Sequence, residues 1–149
     1  MSAGLEQISR RVGASVAAEV ASFEAVGRRV VGASPDLAEL FAGISRHHAW
    51  RADQLREHLF PFSGRQVDDF VVLPEDVAAI LGTLETAASP VEAAAVLRDE
   101  LLVALLAMVG DTRSVCGLAA DASLLRTLEL VEFDLLRDKA NATSQRPAP

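Results

Sequence analysis

The sequence predicts an all-α protein built as a four-helix bundle. Apolar residues recur at steps of three and four along four long segments, which is the spacing of helices that bury one face. Runs that alternate between apolar and polar residues are missing, aromatic residues make up only 5% of the chain, and tyrosine is absent. With 149 residues, the chain is expected to form one domain around one core.

The first two helices are predicted from apolar spacing and from the residues that separate them. The spacing indicates a helix over residues 5–31 and a second over residues 35–60. Between them, Gly32 can end the first helix, Ser34 can cap the second, and Pro35 suits a first helical position. These two helices are therefore expected to pack against each other.

A long connection, "FPFSGRQVDDFVVLP", follows the second helix. Its "FVVL" stretch, residues 70–73, has the composition of a short extended segment. A shorter helix is predicted over residues 74–87. The expected architecture is thus a bundle with an extra short helix in the long connection, and the alternative is an irregular domain of five or six helices.

Two further helices complete the predicted bundle. The third is expected over residues 90–113 with Ser89 as its N-cap, and the fourth over residues 122–140 with Asp121 as its N-cap. The single domain is therefore expected to span residues 1–140. The remainder, residues 141–149, reads as a disordered tail.

The composition of the chain indicates its cellular compartment and the classes of partner that it is expected to lack. The net charge of -7 disfavours nucleic-acid binding, which needs clustered basic residues. The longest apolar run, "LLVALLAMVG", is about half the length of a membrane span, and the N-terminus lacks the apolar core of a signal peptide. The one cysteine, Cys116, fits a reducing compartment. We expect a cytoplasmic protein with no nucleic-acid or membrane partner.

Helical phasing places charged residues among the apolar faces. At about 100° per residue, Glu19 falls on the inner face of the first helix, and His48 and Arg51 fall on that of the second. Arg98 shares the apolar face of the third helix, and Glu132 that of the fourth. Because an unpaired buried charge costs several kcal/mol, we expect Arg51 and Arg98 to pair with Glu19 and Glu132 in an inner polar cluster.

Phasing also assigns the polar neighbours of this cluster to the edge or the outside. In "SRHHAWRADQL", residues 45–55, His47 is expected at the edge of the buried stripe and Trp50 on the opposite side. His58 lies close to the predicted end of the helix, where the helix dipole favours a positive charge. On the fourth helix, Asp134 is expected to face solvent.

These features together resemble the ferritin-like superfamily. The likeness comprises an inward glutamate on the first helix, histidines on the second, a long connection and an inward acid on the last helix. The string in residues 45–55 resembles the second-helix segment of small actinobacterial ferritin-like proteins. The family builds a di-iron centre from a glutamate on each of two helices and a Glu-x-x-His pair on each of the others. The resemblance implies Glu19 (or Glu24), His48 (or His47) and Glu132 as metal ligands.

The sequence departs from that ligand pattern at decisive positions. No Glu-x-x-His occurs in the chain, and the fourth helix has no histidine. Arg51 stands where the family string has its second histidine, and a guanidinium stays charged and repels a metal ion at short range. The sequence therefore predicts a degenerate metal site with no cofactor, and iron is the alternative cofactor.

Three functions follow from this pattern, and whether the protein is an enzyme stays open among them. The first is a non-catalytic structural or interaction module that forms a homo-oligomer through an alanine-rich face. The second is a carboxylate-bridged oxidase or hydroxylase that holds iron or another metal with atypical ligands. The third is a bundle that binds a small polar ligand at its Glu/His/Arg centre.

Overall fold

The computed structural model describes the backbone of residues 2–145 and the side chains of residues 4–145. Within this part of the chain, every regular element is a helix, and the β pairing is limited to one isolated bridge between Phe62 and Arg65. The predicted all-α class is confirmed. Among the described residues, none of the helices has the length and apolar character needed to cross a membrane.

The first two helices are close to those predicted. Helix α1 covers Ser2–Arg28 and helix α2 covers Pro35–Arg56. Gly32 adopts a positive φ of 83°, a conformation that glycine reaches without steric cost. The side chain of Ser34 accepts a hydrogen bond from the backbone N–H of Leu37, so the predicted N-cap of α2 is confirmed.

The long connection contains one helical turn. A 3-10 helix covers Val67–Phe70, so Phe70, the first residue of the stretch expected to be extended, is helical, and residues 71–74 have no regular structure. This turn lies very close to α1: a Cβ atom at Gly13 would be 1.9 Å from the carbonyl oxygen of Phe70. A glycine at this position therefore permits the contact. The short helix α3, Glu75–Thr86, follows as predicted.

The third predicted helix is one continuous helical path with a change of pitch. It consists of α4 (Pro90–Val96), a π-helical turn (Leu97–Leu101) and α5 (Leu102–Ser114). The Oγ of Ser89 accepts a hydrogen bond from the backbone N–H of Glu92 at 3.1 Å, which confirms the predicted cap. A π turn has more residues per turn than an α-helix. It therefore changes the direction in which the side chains within it and after it point.

The last helix, α6, covers Ala122–Ser144 and so continues beyond the predicted end at residue 140. Ala142 in this extension is buried, which explains why the helix continues. Asp121 occupies the predicted N-cap position of α6, but its side chain accepts from the backbone N–H of Gly117 at 2.7 Å and caps no N–H of the helix. The predicted position is therefore confirmed, and only the side-chain hydrogen bond expected of a cap is not formed. Residues 146–149 of the predicted tail lie outside the described part of the chain.

Four of the helices share a common core. Helix α1 packs against α2 and α5, and α6 packs against the same two helices, while α3 lies against α1 and α4. Large apolar side chains of α1, α2, α5 and α6 are fully or almost fully buried, among them Val16, Phe41, Leu102, Leu128 and Leu135. This arrangement places the middle of α2 between α1 and α6.

Candidate functional site

A buried ion-pair cluster joins α1, α2 and α6 around the side chain of Arg51. The Nε of Arg51 donates a hydrogen bond to Oε2 of Glu19 at 2.6 Å. Its Nη1 donates to Oδ2 of Asp134 at 2.6 Å and to Oδ2 of Asp138 at 2.8 Å. Arg51 is completely buried, and the side chains of Glu19 and Asp138 are exposed by only 2% and 1%. Three carboxylates therefore face one guanidinium inside the protein.

The antiparallel packing of α1 on α2 brings Glu19 to this position. Two contacts fix the register: Glu19 lies opposite His48, and the Oγ of Ser45 donates to the backbone carbonyl of Phe23 at 2.8 Å. Since the residue numbers rise on α1 as they fall on α2, the two helices run in opposite directions. Arg51, one turn beyond His48, therefore lies within reach of the same glutamate.

The packing of α2 on α6 follows the same geometry. Arg51 contacts Asp134 and Asp138, while His58 contacts Thr127 with its Nε2 2.8 Å from the threonine Oγ1. These two helices are therefore also antiparallel. Asp134 and Asp138 are separated by four residues, so their side chains lie on one face of α6, one turn apart.

The electrostatic environment keeps Arg51 positively charged. Burial lowers the pKa of the guanidinium, but the charges of Glu19 and Asp138 raise it by more, and the net pKa lies above the ordinary value. Charge-assisted hydrogen bonds to three carboxylates compensate for the loss of water. Arg51 is thus a permanent cation held by acids from two different helices.

His48 is part of the cluster through one ring nitrogen. Its Nδ1 lies 2.6 Å from Oε1 of Glu19 and 2.9 Å from Nη2 of Arg51. A ring nitrogen holds either a proton or a lone pair, so only one of these contacts is a hydrogen bond. The shorter distance and the carboxylate charge favour an Nδ1–H that donates to Glu19. The other nitrogen, Nε2, is buried and has no hydrogen-bond partner among the described residues.

His47 forms the outer part of the site. Its Nδ1 lies 2.6 Å from Oδ1 of Asp138, and 45% of its side chain is exposed. One potential ligand atom from each of His47, Asp134 and Asp138 lies within 4.8 Å of the other two. The side chain of Asp134 is 23% exposed, so this outer group is reached from solvent whereas Arg51 is not.

The structure brings three of the five expected inner residues together: Glu19, His48 and Arg51. The other two lie elsewhere. Glu132 is 35% exposed and pairs with Arg113 on α5 at 3.0 Å, so its assignment to the inner cluster is wrong. This position also removes Glu132 from the implied set of metal ligands.

Arg98 is also misplaced in the sequence-based cluster. It is largely buried, but both its Nε and its Nη2 donate to the carboxylate of Asp99, its chain neighbour. The hydrogen bond to Asp99 raises the pKa of Arg98, although burial opposes this shift. Because Arg98 belongs to the π turn, a constant angle per residue does not describe its direction.

Sequence reasoning missed the two acids that α6 contributes. Asp134 was expected to face solvent and Asp138 was not considered, yet both bind Arg51. A usable signal was present in the sequence, because Asp138 continues a stripe with alternating steps of four and three. The buried members of that stripe are Leu124, Leu128, Val131, Leu135, Asp138 and Ala142.

A polar groove adjoins the exposed side of His47. It has a volume of about 400 Å³ and lies between the first half of α2 and the end of α6. Its polar lining residues include Asp36, Glu39, Arg46, His47 and Asn141. The groove therefore combines acidic, basic and amide side chains next to the ion-pair cluster.

Comparison with protein-family models, with curated proteins and with solved structures finds no match for this chain.

Proposed function

We propose that this chain is a ferritin-like helical bundle whose degenerate metal centre is filled by an arginine, and that it acts as a non-catalytic structural or interaction module. The contacts of α1 and α6 with both α2 and α5 support the bundle. The observation that carries the proposal is the position of Arg51, which is fully buried among the carboxylates of Glu19, Asp134 and Asp138.

The chemistry of Arg51 argues against a di-iron centre at this point of the bundle. Two metal ions need carboxylates and imidazoles that turn their lone pairs towards the metals. Here Glu19, Asp134 and Asp138 direct oxygen atoms at the guanidinium. A dication placed between these oxygen atoms and the guanidinium would be repelled by a positive charge that no change of pH removes. The oxidase or hydroxylase alternative therefore requires Arg51 to leave its partners.

A nucleophilic mechanism has little support from the described side chains. Burial and the charge of Asp121 raise the pKa of the Cys116 thiol, which lowers the fraction of reactive thiolate.

The last helix, α6, exposes three large apolar side chains on its outer surface: Leu130 (56%), Phe133 (63%) and Leu136 (49%). Apolar side chains grouped on one helix favour a contact role. A second copy of the chain is one such partner.

Metal analysis of untagged protein tests the proposal. We expect iron and manganese well below one ion per chain, including after expression in iron-supplemented medium. Two iron or manganese ions per chain in the wild type, lost in Glu19→Gln, contradict the proposal. The same purification of Glu24→Gln is the matched control, because Glu24 is an exposed glutamate on the same helix.

The interaction role is tested separately by sedimentation equilibrium. A homo-oligomer that dissociates when Phe133→Glu is introduced supports a contact through α6. Glu replaces an exposed side chain here, so the fold should be retained, and the circular dichroism spectrum checks this. A monomer at all concentrations argues against self-association through this surface.

The polar groove favours a second candidate function, the binding of a small polar ligand. Its volume of about 400 Å³ and its mixed charges suit a small molecule that carries both an acidic and a basic group. A ligand of this kind should raise the thermal unfolding midpoint of the wild type. It should not raise that of Arg46→Ala, because Arg46 lines the groove.

A further inference from the structure

We propose that His47, Asp134 and Asp138 form a mononuclear site for a divalent transition cation, for which Zn²⁺ is the best match. The site lies at the solvent-facing edge of the contact between α2 and α6, outside the buried centre that Arg51 fills. It goes beyond the proposed function, which concerns the absence of a two-metal centre around Glu19.

The two helices place the three side chains together for simple geometric reasons. Asp134 and Asp138 lie one turn apart on the face of α6 that contacts α2. His47 lies one turn before Arg51 on α2, so both side chains point towards α6. Each potential ligand is thus supplied by a helix and not by a loop, which limits its range of positions.

The donor set fits a borderline transition metal. One imidazole nitrogen and two carboxylate oxygens suit Zn²⁺, whereas Mg²⁺ and Ca²⁺ prefer oxygen alone. With bonds of 2.0 to 2.2 Å, the ligand atoms of a tetrahedral site lie about 3.4 Å apart. The potential ligand atoms now lie within 4.8 Å of one another, and His47 Nδ1 is 2.6 Å from Asp138 Oδ1. Small rotations of the partly exposed side chains of His47 and Asp134 are sufficient.

The charges around the site favour a dication. Glu19, Asp134 and Asp138 supply three carboxylates, and Arg51 supplies one positive charge. The three carboxylates and the guanidinium therefore sum to two formal negative charges. Water cannot screen the carboxylate of Asp138, because its side chain is only 1% exposed. A dication bound at Oδ1 of Asp138 balances this excess.

Arg51 also orients the two aspartates for such a site. It binds Oδ2 of both carboxylates, which leaves the Oδ1 atoms for other partners. Oδ1 of Asp138 already faces the imidazole of His47. Three protein ligands leave a fourth position for water, as in open zinc sites. His47 also lines the polar groove, so a cation bound to it borders that groove.

The test is a calorimetric titration of Zn²⁺ into chelator-treated, untagged protein at pH 7. We expect one Zn²⁺ per chain. In His47→Gln and Asp134→Asn, we expect the dissociation constant to rise by roughly 100-fold or more, since even the outer partners of metal ligands affect affinity 10- to 100-fold. Gln at position 47 still offers an amide N–H to Asp138, which protects the fold; thermal unfolding of each variant checks this.

Two matched variants separate this site from nonspecific binding. His58→Gln removes a histidine that lies just after the end of α2, and Asp53→Asn removes an exposed acid from α2 itself. Both are expected to bind Zn²⁺ like the wild type. Absence of binding at about 100 µM Zn²⁺, or equal affinity in the wild type and His47→Gln, overturns the proposal.

The result that contradicts the proposed function differs from the one that contradicts the zinc site alone. Metal that survives His47→Gln and is lost in Glu19→Gln would lie in the bundle centre, and it would contradict both the filled centre and the site at His47. One Zn²⁺ that is lost in His47→Gln and retained in Glu19→Gln supports the outer site and leaves the filled centre intact.

Discussion

Arg51 on α2 and Asp138 on α6 form a buried salt bridge in which Nη1 of the arginine lies 2.8 Å from Oδ2 of the aspartate. The side chain of Arg51 is 0% exposed and that of Asp138 is 1% exposed. A pair buried to this extent stabilises the fold only when both partners are present, because removal of one leaves an uncompensated charge in the interior. The contact between α2 and α6 should therefore depend strongly on each residue.

Replacement of Arg51 by methionine should destabilise the protein. Arg51→Met leaves Glu19 and Asp138 buried without their cation, and we expect the free energy of unfolding in urea at pH 7 to fall by about 3 to 5 kcal/mol. Arg46→Met is the control, since Arg46 is exposed on the same helix, and it should change stability by less than about 0.5 kcal/mol. Equal effects in the two variants would contradict the buried cluster.

Two acidic residues of α6, Asp138 and Glu132, should differ strongly in their contribution to the free energy of unfolding. Asp138→Asn removes a buried partner of Arg51 and should lower the free energy of unfolding by about 3 kcal/mol. Glu132→Gln breaks only the pair with Arg113, in which the side chains are 35% and 38% exposed, and should cost less than about 1 kcal/mol. Urea unfolding at pH 7 compares the two, and a larger loss in Glu132→Gln would restore the sequence-based assignment.

Neighbouring leucines test the orientation of α6 directly. Leu135 is fully buried and Leu136 is 49% exposed. Leu135→Ala leaves a cavity in the core and should cost about 2 to 5 kcal/mol, while Leu136→Ala should cost less than about 1 kcal/mol. Thermal and urea unfolding of the two variants measure the difference. The reverse order of stabilities would mean that α6 is rotated relative to this structure.

The helices were largely predictable because their sequence signals are local. Apolar spacing gives the helices, and the caps at Ser34 and Ser89 are formed by residues close in sequence. Glu19, His48 and Arg51 were predicted to be buried because the apolar residues of α1 and α2 define one face each. These residues follow the 3.6-residue period without interruption.

The α6 part of the site was not predictable from apolar content alone. Leu130, Phe133 and Leu136 are apolar but exposed, and an apolar residue at position 136 moves the inferred inner face of α6 towards Glu132. The regular stripe that ends in Asp138 and Ala142 would have corrected this error. Arg98 could not be placed by a constant angle per residue, because it lies in the π turn, where that angle changes.

His58 should make the stability depend on pH. Burial lowers the pKa of its imidazole from the ordinary value of 6.5, and the charge of Glu57 only partly opposes this. The unfolded chain then takes up a proton at a higher pH than the folded chain does. The stability that His58 contributes is thus fully present above pH 6.5 and is lost as the pH falls through 6.5 towards the folded value.

Substitution of His58 by glutamine tests this pH dependence of the stability. His58→Gln, which also loses the contact with Thr127, should lower the free energy of unfolding more at pH 8 than at pH 5. Urea unfolding at the two pH values measures this difference, and NMR titration of the imidazole gives the pKa directly. In Glu57→Gln the pKa of His58 should fall further, because a carboxylate that raises it is gone. A pKa of His58 above 6.5 in the wild type would show that its carboxylate neighbours, and not burial, dominate its environment.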